Sequence, residues 1–168
     1  MDLDAVVRDL APKVLGYCLL ETRDRALAEE IAQDALAALV QRWRRHGPPD
    51  SPAGFVLAIA RRRSGRARAR RRLWLPIEGL LDRRDRHLNP EEQAMARAQR
   101  DRVAAALARL QRSDRQILLL VTVGGIGVDE AARLLGVSVP AAKMRALRAR
   151  NRLRELLEDA NGSGTRRA

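Results

Sequence analysis

The most chemically distinctive stretch of the chain is an arginine-rich segment near its middle. Residues 61–72, RRRSGRARARRR, place eight arginines in twelve positions and contain no acidic residue. Guanidinium groups at this density suit phosphate binding, which requires positive charge and little special geometry. The segment therefore predicts a contact with nucleic acid. A non-specific basic tract is the alternative, and it would bind DNA as well.

A second basic segment, residues 143–154, carries six basic side chains and no acid. It belongs to a predicted helix that follows a shorter helix, VDEAARLLG, and a turn, GVS. Two helices joined by a short glycine-containing turn are typical of the helix-turn-helix motif. The pattern predicts a recognition helix that reaches base edges with its N-terminal half and phosphates with the arginines further along. A solvated helix face is the alternative. At 100° per residue, the apolar stripe comprises Ala142, Ala146, Ala149, Leu153 and Leu157, and one flank comprises Arg145, Arg148 and Arg152.

Residues 29–43, EEIAQDALAALVQRW, carry a polar patch on an otherwise apolar helix, formed by Glu30, Gln33, Asp34 and Ala37. Taken alone, such a patch indicates a solvated face.

The chain shows no Ser/His/Asp set, no pair of catalytic carboxylates and no phosphate-binding glycine loop, so we expect no catalysis. One cysteine and two histidines exclude an internal disulfide and a zinc set, and we expect no metal or cofactor.

Composition limits the classes of nucleic-acid binder. The 168 residues carry a net charge of +12, and 46% are hydrophobic, but only 2% are aromatic. Readers that stack bases on aromatic platforms need more aromatic side chains than this. No stretch approaches the ~20 apolar residues of a membrane span, and the acidic N-terminus does not resemble a leader. We therefore expect a cytoplasmic protein without membrane insertion.

Apolar spacings of three and four dominate the chain and predict an all-α protein. We expect helices over residues 2–20 and from an Asp24 cap to residue 45, a break at HGPPDSP, and a helix from Ala53, capped by Ser51. This helix enters the arginine segment, where Gly65 and repulsion between arginines disfavour helix as far as residue 72 without counter-charge. A further helix runs from Pro90 to near residue 110, and another starts at a Ser113 cap. The last helix runs from 140 to 158 and follows Ser138. The predicted organisation is a domain over 1–75, a flexible linker over 76–90, a helix-turn-helix domain over 91–160 and a disordered tail over 161–168.

Together, these motifs resemble the extracytoplasmic-function sigma factors, the small two-domain promoter-specificity subunits of bacterial RNA polymerase. The segment GYCLLETRDRALAEEIAQDALAALVQRW resembles the second conserved region of that family, and FVLAIARRR resembles its promoter-reading helix. The segment LQRSDRQILLLVTVGGIGVDEAARLLGVSVPAAKMRALRARNRLREL resembles the fourth region. The order of these segments matches the family along most of the chain.

The resemblance implies roles for individual residues. The partners would be core polymerase (the clamp coiled coil of its largest subunit and the flap of the second-largest), promoter DNA and an anti-sigma factor. Loop 44–52 and the helix through Arg61–Arg66 would open and hold the minus-ten element. The implied polymerase contacts are Glu30, Ile31, Gln33, Asp34 and Leu36. The implied DNA contacts are Arg61, Arg62, Arg63 and Arg66 in the first domain, and Ser138, Lys143, Met144, Arg145, Arg148 and Arg152 in the second.

The chain departs from the family pattern at five positions, one of which is Met144, where a small polar residue is frequent. Arg62 and Arg66 stand where asparagine and aspartate are common, Gly127 replaces a serine cap, and Ala131 replaces an isoleucine. Two rival functions follow from the residues alone. One is a stand-alone helix-turn-helix regulator that does not engage polymerase, and the other is an RNA-binding adaptor that uses the arginine segment.

Overall fold

The computed structural model describes residues 2–70 and 89–164, with side chains as far as residue 160. Within these ranges the chain is helical and contains no strand, which confirms the predicted all-α class. The helices are α1 (Leu3–Thr22), α2 (Arg25–His46), α3 (Pro52–Arg70), α4 (Pro90–Ala108), α5 (Arg112–Thr122), α6 (Val128–Leu135) and α7 (Val139–Gly164). We call α1–α3 the N-terminal bundle and α4–α7 the C-terminal bundle.

Side-chain caps start the helices of the N-terminal bundle. The Asp24 carboxylate accepts a hydrogen bond from the backbone N–H of Leu27 at 3.0 Å. The Ser51 hydroxyl accepts one from the backbone N–H of Gly54 at 3.0 Å. Each bond satisfies a donor that the first turn of a helix otherwise leaves unpaired. Both predicted caps are confirmed, and α3 begins at Pro52, one residue before the expected start.

Helix α3 continues through most of the arginine segment, to Arg70. Two carboxylates supply counter-charge: Asp34 accepts from Arg63, and Glu21 accepts from Arg68 at 2.9 Å. Ion pairs of this kind offset the repulsion between neighbouring arginines that would otherwise disfavour the helix. Residues 71–88, which include most of the predicted linker, lie outside the described residues.

Helix α4 begins with a reciprocal cap. The Asn89 side chain accepts from the backbone N–H of Glu92 at 2.8 Å, and the Glu92 carboxylate accepts from the backbone N–H of Asn89 at 3.0 Å. Pro90 occupies the first helical position, where its missing N–H costs nothing. The expected start at Pro90 is confirmed, so the linker ends one residue before its predicted boundary.

The predicted cap at Ser113 is wrong. Helix α5 starts at Arg112, and Gln111 precedes it without a side-chain capping bond. Ser113 therefore lies inside the first turn, where its hydroxyl is 3.5 Å from the carboxylate of Asp114.

The helix-turn-helix motif consists of α6, a turn and α7. Gly136 ends α6 with a φ of 66°, a left-handed conformation that glycine adopts without strain. The Ser138 hydroxyl accepts from the backbone N–H of Ala141 at 3.3 Å, which confirms the start signal of α7. Helix α7 continues to Gly164, so residues 161–164 are helical instead of part of the predicted tail.

Small and aliphatic side chains fill both bundles. Helices α1, α2 and α3 pack on one another, and α7 packs on α4, α5 and α6. The predicted stripe of α7 is confirmed at Ala142, Ala146 and Ala149, which are all buried. Fully buried side chains include Val14, Tyr17, Leu39 and Val56 in the N-terminal bundle, and Ile117, Leu119, Leu120 and Ala131 in the C-terminal bundle.

The two bundles pack directly against each other through α3 and α6 and the turn before α6. A methyl group on Gly124 would lie 2.7 Å from the Cδ1 atom of Leu57, and one on Gly16 would lie 3.2 Å from the Cγ1 atom of Val123. These distances leave no room for a side chain at Gly124. We call this packed arrangement the closed arrangement.

Candidate nucleic-acid and polymerase interfaces

Helix α3 has a buried face and an exposed face. Val56, Leu57 and Ala60 are buried in the core. At 100° per residue, Arg62 and Arg66 lie on the opposite face, and both are exposed. This exposed pair is a surface on which a phosphate backbone could lie.

The other predicted DNA-contacting arginines of α3 are differently placed. Arg61 is half-buried, and the Nε atom of its side chain is buried without a hydrogen-bond partner. Arg63 donates a hydrogen bond to the carboxylate of Asp34, and both side chains are about half exposed. Of the four arginines predicted to contact DNA, Arg62 and Arg66 are exposed, Arg63 is exposed but paired with Asp34, and Arg61 is half-buried.

The ion pair between Asp34 and Arg63 joins two sites that the sequence analysis kept separate. Asp34 belongs to the polar patch on α2, and Arg63 belongs to the basic helix α3. The pair spans 29 positions of sequence, so local periodicity does not reveal it. A substitution at Asp34 therefore also removes the counter-charge of a predicted DNA contact.

The predicted polymerase contacts of α2 differ in exposure. Glu30 and Gln33 are exposed, and Leu36 is half-buried. Ile31, which was also predicted as a polymerase contact, is 4% exposed and packs in the core. It lies on the buried side of α2, beside Ala28 and Ala35.

The exposed face of α7 contains both basic and apolar side chains. Lys143 is exposed, as predicted for a DNA contact, and Ser138 is exposed at the start of the helix. Met144 is 62% exposed and Leu147 is 51% exposed. Leu147 was not predicted as a site residue, although its position three residues after Met144 places both on one face. Exposed apolar groups at these positions are suited to contact the methyl group of thymine.

The arginines of α7 differ in their partners. Arg145 is half-buried, and Arg152 forms an exposed ion pair with Glu155 at 2.8 Å. Arg148 forms two hydrogen bonds of 2.8 Å to the carboxylate of Asp114 in α5. These bonds hold the pKa of Asp114 below its ordinary value. Asp114 was not predicted as part of any site.

A buried ion cluster joins the two bundles. Glu21 is 1% exposed, and its two carboxylate oxygens accept from Arg68 of α3 and from Arg115 of α5. The Arg115 side chain is 4% exposed. Desolvation lowers the pKa of Arg68, although the nearby Glu21 charge opposes this shift. Burial raises the pKa of the neighbouring Tyr17 hydroxyl far above its ordinary value. One carboxylate thus accepts hydrogen bonds from arginines of both bundles.

Two further expectations concern metals and membranes. Among the residues that the structure describes, no group of three or more His, Cys, Asp and Glu side chains could hold a metal ion. None of the described helices is long and apolar enough to cross a bilayer.

Two families of sigma-factor domain match the chain in the order of its bundles. Residues 6–73 match Sigma-70 region 2, and residues 100–153 match Sigma-70, region 4. The first match covers α1–α3, and the second covers most of the C-terminal bundle, including the helix-turn-helix motif.

Several proteins are similar along most of this chain. The ECF RNA polymerase sigma factor ShbA of Streptomyces griseus is 30% identical over 158 residues, which cover 88% of this chain and 83% of ShbA. An uncharacterized protein of Rhizobium meliloti is 31% identical over 160 residues, but the match spans only 38% of that longer protein.

A solved structure has a similar fold. The sigma factor RpoE of Bartonella quintana, crystallised with the anti-sigma factor NepR, aligns with a TM-score of 0.70 at 20% identity. The alignment covers 92% of this chain and 96% of that one. On the two domain matches and the extended similarity to ShbA, the chain belongs to the extracytoplasmic-function sigma factors of bacterial RNA polymerase.

Proposed function

We propose that the N-terminal bundle binds core polymerase and the minus-ten element, and that the C-terminal bundle binds the minus-thirty-five element. The observation that carries the proposal is the exposure of three surfaces: the α2 patch, the adjoining arginine face of α3 and the α7 face. Glu30, Gln33, Asp34 and Leu36 provide the polymerase surface, which we assign to the clamp coiled coil of the largest subunit. The flap of the second-largest subunit is then the partner of the C-terminal bundle.

The DNA surfaces follow from exposure and charge. Arg62 and Arg66 provide the phosphate contacts of the first domain, and Arg63 joins them when Asp34 releases it. Lys143, Met144 and Arg148 face bases, whereas Arg145, Arg152 and the Ser138 hydroxyl contact the backbone of the upstream element. Sigma factors are initiation factors, and we assign this chain no chemistry of its own. We place its action in the cytoplasm, where polymerase binds promoters.

An anti-sigma factor is a further proposed partner. The RpoE structure is a complex with NepR, and a second solved structure of similar fold holds CnrH with the cytosolic domain of CnrY. We expect a protein of this class to bind both bundles. Capture of native complexes that contain only polymerase subunits would count against this part of the proposal.

Run-off transcription with core polymerase tests the polymerase surface. We expect the wild-type chain to direct initiation from promoters selected out of genomic DNA, and Gln33→Arg to reduce core binding while helicity stays unchanged. Gln111→Arg is the matched control, because it makes the same exchange at an exposed residue before α5, away from the α2 patch. Equal loss in both variants would refute the assigned surface.

The same assay separates the rival functions. A stand-alone regulator would bind the upstream element without stimulating initiation by core polymerase. The match of α1–α3 to Sigma-70 region 2 disfavours this rival, because such a regulator has no need for that domain. An RNA-binding adaptor would prefer single-stranded RNA to promoter duplex in a competition experiment.

A further inference from the structure

Asp114 and Arg148 form a two-point contact between α5 and the DNA-facing helix α7. The Nε–H of Arg148 donates to one carboxylate oxygen of Asp114, and an Nη2–H donates to the other, both at 2.8 Å. The Asp114 side chain is 6% exposed, whereas that of Arg148 is 60% exposed. A buried carboxylate therefore fixes one edge of a guanidinium whose remainder faces solvent.

The edge that Asp114 occupies decides which donors remain. A guanidinium has five N–H donors in a rigid planar fork, and the pair with Asp114 uses one on Nε and one on Nη2. The two donors on Nη1 and the second donor on Nη2 stay available at the far end. Two adjacent donors at that end match the O6 and N7 acceptors of guanine in the major groove. The contact with Asp114 is thus compatible with base recognition and restricts its direction.

The surroundings of the pair indicate that α7 does not depend on it for its position. Ala142, Ala146 and Ala149 are buried beneath α7, and the helix contacts α4, α5 and α6. In contrast, the position of the Arg148 guanidinium depends on Asp114, because a half-exposed arginine otherwise samples many rotamers. Fixing such a side chain before binding removes an ordering cost that corresponds to about a two- to twelve-fold change in affinity.

We propose that Asp114 is a positioning residue for promoter recognition, which holds the free end of the Arg148 guanidinium toward a guanine of the upstream element. The inference rests on the proposed function of the α7 face. It adds a specificity-determining residue that does not touch DNA. Its signature is a loss of discrimination between sequences, instead of a uniform loss of DNA binding.

The test uses the full chain bound to core polymerase and measures affinity for selected and scrambled upstream duplexes at one salt concentration. We expect Asp114→Ala to lower affinity for the selected duplex about three- to tenfold, with little change on the scrambled one. The affinity of Asp114→Asn for the selected duplex should lie between those of wild type and Asp114→Ala, because the amide oxygen accepts one N–H while the NH2 group faces the other donor. Asp9→Ala is the control: it removes the same charge from an exposed pair with Lys13, far from α7 in sequence.

A double-mutant cycle separates positioning from stability. In an Arg148→Ala background, Asp114→Ala should leave the ratio of the two affinities unchanged, since there is no guanidinium left to position. If Arg148→Ala alone leaves the ratio unchanged, the proposed role of Arg148 fails. If Arg148→Ala lowers the ratio but Asp114→Ala and Asp114→Asn do not, the positioning role is wrong. A gain in affinity for the selected duplex in Asp114→Ala would show that the carboxylate withholds Arg148 from DNA, and would also overturn the proposal.

Discussion

Replacement of Glu21 by alanine tests the closed arrangement at its most buried polar contact. In the wild-type chain, Glu21 accepts from Arg115 at 3.3 Å and from Arg68 at 2.9 Å. Arg68 is 25% exposed and can turn toward water, but Arg115 is 4% exposed and cannot do so while the bundles stay packed. An unpaired buried charge costs about 3–5 kcal/mol. Separation of the bundles would expose Arg115 to water and relieve this cost. The measured destabilisation is therefore limited to the smaller of two free energies: the cost of the unpaired buried charge and the cost of separating the bundles.

Two measurements distinguish these responses. Chemical denaturation gives the free energy of unfolding, and small-angle scattering gives the radius of gyration, which is about 15 Å for a compact chain of this length. We expect one of two results for Glu21→Ala. Either the free energy of unfolding falls by about 3–5 kcal/mol at a constant radius of gyration, or it falls by less while the radius of gyration increases. Glu29→Ala, which breaks the exposed pair with Arg25, is the control, with an expected loss below about 1 kcal/mol. Unchanged stability together with an unchanged radius in Glu21→Ala would refute the reasoning.

The remaining predictions concern single groups. Because the folded-state pKa of Asp114 is depressed, its stabilising effect is present above the unfolded pKa of about 3.9 and disappears as pH falls through the folded pKa. The difference in unfolding free energy between wild type and Asp114→Ala, measured by denaturation from pH 7 to pH 2, should therefore shrink on acidification; a constant difference would contradict this. Burial raises the pKa of Cys18 to about 12, so a thiol reagent at pH 8 should label it only at the rate of unfolding. Fast labelling of the native protein would show that the thiol is accessible. Gly124→Ala should lower the melting temperature by several degrees, because the new methyl group would lie 2.6 Å from the backbone oxygen of Leu120. Gly54→Ala should cost less, since its nearest obstacle is the flexible carboxylate of Glu130.

Local features of the fold followed from sequence because each depends on a few neighbouring residues. The caps at Asp24 and Ser138 and the alanine stripe of α7 were predictable from residue type and helical period. The false cap at Ser113 shows the limit of this reasoning. In LQRSDRQ, several polar residues lie near the helix start, and residue type alone does not indicate that the helix already begins at Arg112.

The ion pairs that define the sites were not predictable for a different reason. Glu21 and Arg115 are 94 positions apart, and Asp114 and Arg148 are 34 apart. With 33 basic and 21 acidic side chains, charge alone permits many pairings, and only packing of the bundles selects among them. The same packing buries Ile31, since a stripe of buried alanines determines which side of α2 faces inward.

The closed arrangement also sets a geometric limit on promoter occupancy. Elements centred near positions −10 and −35 are about 25 base pairs apart, or ~85 Å along B-DNA. A compact chain of this length has a radius of gyration of about 15 Å and a diameter of roughly 40 Å, so in the closed arrangement one molecule does not span both elements. Occupying both requires the bundles to part, and the covalent chain between Arg70 and Asn89 allows a gap of up to about 60 Å. The apparent promoter affinity is then reduced in proportion to the fraction of open molecules. Each ~1.4 kcal/mol by which the closed arrangement is favoured lowers this affinity tenfold. If the two bundles bind these two elements as proposed, the contact between Glu21 and Arg115 must break before one molecule occupies a whole promoter.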